Sequence, residues 1–591
     1  MTELFEPTDA WDPRLAVSAG AGLLAAFNDA GLLTAADVHV ARRLTALAGD
    51  HDELVELAVA IATTVVPRGS VGADLTAVRE LAPELPWPEP VAWLDAVSSS
   101  ALVAQGGLRL AHGLVYLDRY HRLEEQVFDD LTERSARPAP AVDEAALGVA
   151  LTRVFPHEEY ADQRSAIAAA ARRWTTVLTG GPGTGKTTTV AGLLAVLADQ
   201  AAGRGHRLSI ALAAPTGKAA ARLQESVDSE TARFPVADQQ RLAGLESLTL
   251  HRLLGFRPDN STRFRHDRHN RLKYDVVVVD ESSMVELMMM GRLLEALRPD
   301  TRLVLVGDPD QLSSVGAGAV LGDLVKGYAG RADSPVVSLT KTHRYGEEIG
   351  RLAVALRDGD ADAVMEVLRA GGERVSFLET DDAEPLIKSD LLDAAVAIRS
   401  AAESGDDAGA LAALDRHRLI CAHRDGPRGV AHWNRLVERW LAQATGQDFW
   451  PRWYPGRPVL VTHNDYGLGI YNGETGVVVR RPDGELRGLI PSSGGTVLDF
   501  ATTRLAEVET MHALTVHKSQ GSQVDRVSVL LPAEDSRLLS RELFYTAVTR
   551  ARQSVRVVGT EAEVRAAVGR RAVRATGLAE RLRGHDPGSE T

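Results

Sequence analysis

Thr175-Thr-Val-Leu-Thr-Gly-Gly-Pro-Gly-Thr-Gly-Lys-Thr-Thr-Thr189 decides the reading of this chain. A short β-branched run enters a glycine-rich turn, and a helical stretch, Thr188–Ala198, leaves it. Glycines let successive backbone N–H groups turn inward around an anion, and the following helix N-terminus adds positive potential. Gly180, Gly181, Pro182, Gly183, Thr184, Gly185, Lys186, Thr187 and Thr188 therefore form a candidate phosphate cradle. Lys186 is placed to reach the β- and γ-phosphates of ATP, and Thr187 to ligate Mg²⁺.

Working outward, Val276-Val-Val-Val-Asp-Glu-Ser-Ser283 reads as a buried strand ending in two carboxylates. Asp280 suits the Mg²⁺ shell, and Glu281 suits a base that orients the attacking water. An Asp-Glu pair alone is usually a solvated turn; the four-valine strand and the upstream cradle give this one meaning. Val304-Leu-Val-Gly-Asp-Pro-Asp-Gln311 gives a third strand end, with Gln311 as a candidate sensor of the γ-phosphate. Other short apolar runs, at 208–214, 419–421, 527–531 and 555–558, alternate with helical stretches. That alternation implies an α/β fold with parallel sheets covered by helices.

The chain has 591 residues and a net charge of −14. Residues 1–150 hold 23 acidic and 10 basic residues, so nearly all of the excess lies there. The balanced remainder can gather positive charge along a groove, while the acidic part is suited to face protein rather than phosphate. Only 7 of the 66 basic residues are Lys, and four of them (Lys186, Lys218, Lys341, Lys518) fall in short motif words. No stretch has the length and apolarity of a membrane span, and Met1–Glu6 lacks the layout of a signal peptide. A single cysteine, Cys421, excludes an internal disulfide and fits a reducing cytoplasm.

The succession of words resembles the motifs of superfamily 1 helicases, most of all their 5′-to-3′ branch. Gln163, in Asp162-Gln-Arg-Ser, matches the adenine-reading glutamine of that family. Arg344, in Thr342-His-Arg-Tyr, and Arg550, in Phe544-Tyr-Thr-Ala-Val-Thr-Arg, match two arginines that reach the γ-phosphate from the second lobe. Ala214-Pro-Thr-Gly-Lys resembles a single-stranded-DNA motif and offers Pro215, Thr216 and Lys218. Thr249-Leu-His-Arg resembles a second, offering Thr249 and His251, and Leu514-Thr-Val-His-Lys-Ser-Gln-Gly521 a third, offering Thr515, His517, Lys518, Ser519 and Gln520. The segment around Asp259-Asn-Ser-Thr262 is flanked by Arg257, Arg263, Arg265, Arg268, Arg271 and Lys273. In the resembling helicases a duplex-splitting β-hairpin stands here, expected over about 256–272; a flexible basic loop is the other reading.

The segment from Arg457 to Gly476 resembles the opening of the inserted SH3-like barrel of RecD-type helicases, with Asn464 and Tyr466 bordering a DNA exit path. Tyr116-Leu-Asp-Arg-Tyr120 resembles a word of the same type. The resemblance implies two RecA-like lobes, at 135–335 and at 336–448 with 506–575. It also implies an SH3-like insert at 449–505 and a helical N-terminal partner-docking domain at 1–134. The tail, 576–591, reads as disordered. The resemblance further implies ATP and Mg²⁺ as cofactors, RecB and RecC chains as partners, and single-stranded DNA and duplex DNA ends as substrates. Nuclease chemistry would belong to RecB, since no carboxylate–lysine metal cluster is visible outside the ATP site. A stand-alone DNA helicase, an ATP-gated scaffold and an RNA helicase stay open as alternatives.

Overall fold

The computed structural model describes residues 22–257, 260–341, 347–447, 452–465, 467–492 and 496–584. The first lobe is built on six parallel strands: β1 (Thr175–Gly180), β2 (Ile210–Ala214), β3 (Ser247–Thr249), β4 (Val276–Val279), β5 (Arg302–Gly307) and β6 (Val336–Leu339). Their order is β6-β1-β5-β4-β2-β3. Alternation explains why these strands read as unbroken apolar runs. Val277, Val279, Leu303 and Leu305 join the core on one face, and Val276, Val278, Val304 and Val306 join a separate core on the other. A sheet covered on both sides favours apolar side chains along its central strands and leaves ligands to the strand ends.

The second lobe repeats the plan with β7 (Val375–Glu379), β8 (His417–Cys421), β9 (Ala513–Thr515), β10 (Val524–Leu530) and β11 (Ala551–Gly559), ordered β7-β11-β10-β8-β9 and all parallel. The expected two-lobed α/β fold is present. One boundary differs: β6 pairs with β1 and completes the first lobe, so that lobe runs past 335 to Leu339.

Between β8 and β9 an antiparallel sheet is inserted, with strands Pro458–Val461, Thr475–Arg480, Leu486–Pro491, Val497–Ala501 and Val508–Thr510. Among the described residues its order is open, and the outer strands 497–501 and 508–510 do not pair with each other. One face packs Leu460, Val477, Val479 and Leu489 onto Ile398, Ala402 and Leu414 of the second lobe. The other face buries Val459, Val478, Ile490 and Phe500. The expected SH3-like barrel is thus seen as a five-stranded sheet whose apolar surface is shared with its host.

The N-terminal region has its own core around Phe27, Leu57, Ile61 and Trp93. It is not wholly helical: Leu108–Ala111 and Leu114–Leu117 form a hairpin. The helix that follows, Asp118–Ala136, turns Leu123, Val127 and Leu131 into the first lobe's core. The expected disordered tail is ordered up to residue 584, and its last part lies outside the described residues. Leu578–Gly584 is a helix with Leu578, Ala579 and Leu582 buried against the first lobe. Three apolar residues in seven suffice because a groove on a folded neighbour receives them.

Candidate functional site

The strand ends of the first lobe face the second across a cleft of about 610 Å³. Its lining includes Gln163, Pro182, Gly183, Gly185, Lys186, Thr187, Thr188, Asp280, Glu281, Gln311 and Arg550. Gly183 and Gly185 have φ of 79° and 83°, the left-handed region in which a Cβ is costly. Thr184 is buried, and its hydroxyl donates to the Gly181 carbonyl at 2.9 Å, closing the turn. Gly180 adjoins it, and a Cβ there would lie 2.5 Å from the Thr184 hydroxyl. Lys186 opens the helix Lys186–Ala202, and its ammonium donates to the carbonyls of Gly180 and Gly181 at 2.6 and 3.0 Å. An arriving phosphate would take over these contacts. Gln163 is buried beside the loop; a Cβ on Gly185 would sit 3.2 Å from its amide nitrogen.

Asp280 stands at the end of β4. Burial, then the charge of Glu281, raises its carboxyl above the ordinary range, while Lys186 and Arg222 pull the other way. A carboxyl in this position holds a cation's charge well, because the cation replaces the water it has lost. Among the described residues no group of three or more His, Cys, Asp or Glu is placed to hold a metal, so Thr187 and Asp280 would act together with phosphate oxygens. Among the described residues, Glu281 is one of two non-glycine residues with positive φ, at 50°. That conformation costs roughly 1–2 kcal/mol. It persists because the next turn is pinned: Ser282 donates to the Val279 carbonyl at 2.8 Å, and the Ser283 carbonyl accepts from Ser314 N at 3.0 Å.

The lobes meet through a buried polar network. Arg550 is 2% exposed, and its guanidinium donates to Gln311 Oε1 at 2.9 Å. Gln311 in turn donates to Asp308 at 3.2 Å, and the Tyr545 hydroxyl donates to the same Asp308 oxygen at 3.0 Å. Thr546 Oγ1 accepts from Leu312 N at 2.7 Å, and Gln520 donates to the Leu312 carbonyl at 2.6 Å. Burial raises the Asp308 carboxyl, against the pull of Lys186 and its hydrogen bonds. Asp308, Tyr545 and Thr546 were not singled out from the sequence. Asp308 carried a usable signal, since it ends β5 as Asp280 ends β4. The other two stand inside the word that holds Arg550. Arg344 falls outside the described residues, as does Tyr466 of the insert.

Of the DNA-track candidates, Thr216, Thr249 and Thr515 share one local role. Each ends or closely follows a strand and accepts from the backbone N–H three residues on, at 3.2, 3.2 and 3.3 Å, capping a helix. Pro215 joins β2 to the first of these caps. A capping hydroxyl keeps its own O–H to donate. Lys218 lies toward the second lobe; burial and the nearby cations Arg418, Arg222 and Arg552 lower it to about 8, against the pull of Asp415. His251 packs against Phe256 and Phe264, ring centroids 6.2 and 5.7 Å away, and burial lowers its pKa. These two phenylalanines belong to a short antiparallel hairpin, Phe256–Arg257 with Asn260–Phe264. Lys518 is paired with Glu509 at 3.2 Å, and Ser519 is buried with its hydroxyl donating to Val516 O at 2.7 Å. His517 is pushed down to about 4 by burial and by Arg574. Gln520 is turned to the first lobe rather than to the DNA track.

Comparison with known proteins accords with this geometry. Residues 163–317 match the AAA domain model, and residues 510–558 match the UvrD-like helicase C-terminal domain. The chain is 59% identical to the RecBCD enzyme subunit RecD of Mycolicibacterium smegmatis, over 95% of this chain and 99% of that one. It is 56% identical to the RecBCD enzyme subunit RecD of Mycobacterium tuberculosis (strain CDC 1551 / Oshkosh), over 97% and 98%. The ATP-dependent RecD2 DNA helicase of Deinococcus radiodurans is 33% identical over 69% of this chain and 50% of its own. On identity sustained along nearly its whole length, the chain belongs to the family of the RecD subunit of the RecBCD enzyme.

Proposed function

We propose that the chain hydrolyses ATP between its lobes and uses the resulting closure to move 5′-to-3′ along single-stranded DNA. In this reading it serves as a motor subunit beside RecB and RecC chains, acting on duplex DNA ends in recombinational repair. The observation that carries it is the convergence of Lys186, Asp280, Glu281, Gln311 and Arg550 on one cleft, with residues from both lobes. A binding scaffold needs the cradle, but it does not need a base, a sensor and a cation from the facing lobe.

Lys186 binds the β- and γ-phosphates once it leaves the loop carbonyls. Glu281, held by its turn, orients water for attack. Arg550, fixed by Gln311 and the Thr546 carbonyl, is a cation already in place for the charge that develops on the transferred group, and Arg344 is its expected companion. Thr187 and Asp280 would hold Mg²⁺, which supplies neutralisation of the phosphate oxygens when bound. Gln163 reads the base.

On the DNA side, Pro215, Thr216, Lys218, Thr249 and His251 form the grip of the first lobe, and Thr515, His517, Lys518 and Ser519 that of the second. Two grips on lobes that close around ATP are the minimum for stepping. The Gln311–Arg550 and Leu312–Thr546 bonds tie the sensing loop to the helix next to the second grip.

The hairpin at 256–264 is the wedge. Arg268 is anchored on Asp130 at 2.8 Å, and Asn270 donates to the Arg265 carbonyl at 2.9 Å, so 265–272 belongs to the lobe and the wedge is shorter than its sequence suggested. The N-terminal domain holds most of the chain's acidic excess, which suits a protein partner rather than phosphate. Among the described residues no helix is long and apolar enough to cross a membrane, and the Cys421 thiol is buried and raised by burial; a cytoplasmic enzyme fits both.

Duplexes tailed at the 5′ or the 3′ end, offered to the chain assembled with its partners, test the direction of travel. Unwinding by this chain should require a 5′ tail and be lost in Lys186→Gln. A requirement for a 3′ tail would overturn the direction, and no dependence on Lys186 would overturn the motor.

A further inference from the structure

The segment 570–577 runs from one lobe to the other, and its anchors are close together. The Arg570 carbonyl accepts from Arg541 N at 2.8 Å, and Ala572 N donates to Glu542 at 2.7 Å. Both partners begin the helix Arg541–Val548, which carries Tyr545 and Thr546 and leads to Arg550. Two residues later Arg574 is half-buried against the first lobe. Its guanidinium donates to the carbonyls of Gly316 and Gly318, both at 3.1 Å, and to that of Ser314. Gly69 of the N-terminal domain closes the pocket: its φ is +93°, and a Cβ there would come within 2.6 Å of the guanidinium carbon. The Gly69 carbonyl accepts from Gly318 N at 2.9 Å. Ala575, Thr576 and Gly577 then bond to Ser70, Asp323 and Glu124.

Between the two anchors only Val573 is free, and it is 85% exposed. Two residues span at most about 7 Å, so the lobes cannot part at this edge while both anchors hold. The loop held by Arg574 is the one whose Ser314 N bonds the Ser283 carbonyl, two residues after Glu281. Arg574 also lies close enough to His517 for its charge to help push that imidazole down. We propose that Arg574 is a positioning residue that fixes one edge of the nucleotide cleft, so that the lobes rotate about 572–574 and their closure on single-stranded DNA is passed to the Glu281 turn through the loop 314–318. The inference rests on the ATP-driven motor reading.

The test uses the full chain in its assembly. A four-residue Gly-Ser insertion after Val573 lengthens the tether without removing any side chain, and Arg574→Ala and Arg574→Lys complete the set. In the insertion and in Arg574→Ala, the ssDNA-stimulated ATPase rate should fall about tenfold, with the basal rate and the KM for ATP within about twofold of wild type. Arg574→Lys, which keeps the charge, should recover part of the stimulation. Full stimulation in the insertion variant would overturn the proposal and leave the motor reading intact. Basal and stimulated rates falling together with thermal stability would make Arg574 structural only, and would also overturn it. Absence of stimulation in the wild-type chain would overturn the motor reading, and the proposal with it.

Discussion

Two faces of the molecule are built on strand ends, to different effect. At the nucleotide face the strands end in groups aimed into shared space: Lys186, Asp280, Glu281 and Gln311 line one cleft. On the face proposed to carry DNA, the strands end in threonines whose oxygens already serve the fold, at Thr216, Thr249 and Thr515. A site that must bind triphosphate and expel products needs side chains free to exchange partners. A track that must grip every nucleotide alike needs only fixed backbone geometry and hydroxyl protons at a set spacing. Substitutions should therefore act on turnover at the first face and on DNA dependence and stability at the second.

The largest effect is expected at Glu281. Glu281→Gln keeps shape and hydrogen-bonding capacity but removes the base, and steady-state ATPase should fall by about 100-fold or more while nucleotide binding persists. An equal loss of binding would place Glu281 in the cradle rather than in the chemistry. Next comes Arg550→Ala, expected to cost about 100-fold in kcat with little change in KM for ATP, because the cation serves the transition state. Since Arg550 also holds Gln311, Gln311→Ala combined with Arg550→Ala should cost less than the product of the single losses.

Replacing the hairpin at 257–263 by a short Gly-Ser link should spare ssDNA-stimulated ATPase and abolish strand separation. Unwinding that survives would leave the flexible-loop reading in its place. A smaller effect is expected at Thr249. Thr249→Ala removes a cap worth about 1 kcal/mol and should raise the DNA concentration for half-maximal ATPase without lowering the maximal rate. Thr249→Ser should restore both.

A last effect, on stability rather than on turnover, concerns pH. Asp323 accepts from Thr576 beside the C-terminal helix, and burial raises its carboxyl to about 7. A carboxyl raised above its unfolded value stabilises the fold below that unfolded value and loses this contribution as pH rises toward 7. Asp323→Asn has no such loss. Relative to wild type it should gain about 2 kcal/mol between pH 5 and pH 7, read from denaturant midpoints at each pH. A gap independent of pH would mean that Asp323 does not titrate in that window.

Much of this was legible in the sequence because motif words encode local geometry. The run 175–189 fixes a strand, a turn and a helix by residue type alone, and Val276–Val279 announces a strand covered on both faces. What stayed hidden depends on neighbours distant in sequence. Helix Asp118–Ala136 shows its apolar side in its own periodicity, but nothing there says that the side belongs to the first lobe. Val336–Leu339 reads as any short strand, and only its pairing with β1 assigns it to a lobe. Arg574 looks like one surface arginine among many until Gly69, Gly316 and Gly318 surround it. The helix Leu578–Gly584 is too polar and short to stand alone, and its order comes from the surface that receives it.

The most direct test is the ATPase rate of the chain, free and with the RecB and RecC chains proposed as its partners, with and without single-stranded DNA, for wild type and for Lys186→Gln. A motor shows strong stimulation by single-stranded DNA in wild type and loss of this chain's contribution in the variant. Equal rates in wild type and variant, or a wild-type rate indifferent to DNA, would contradict the motor reading.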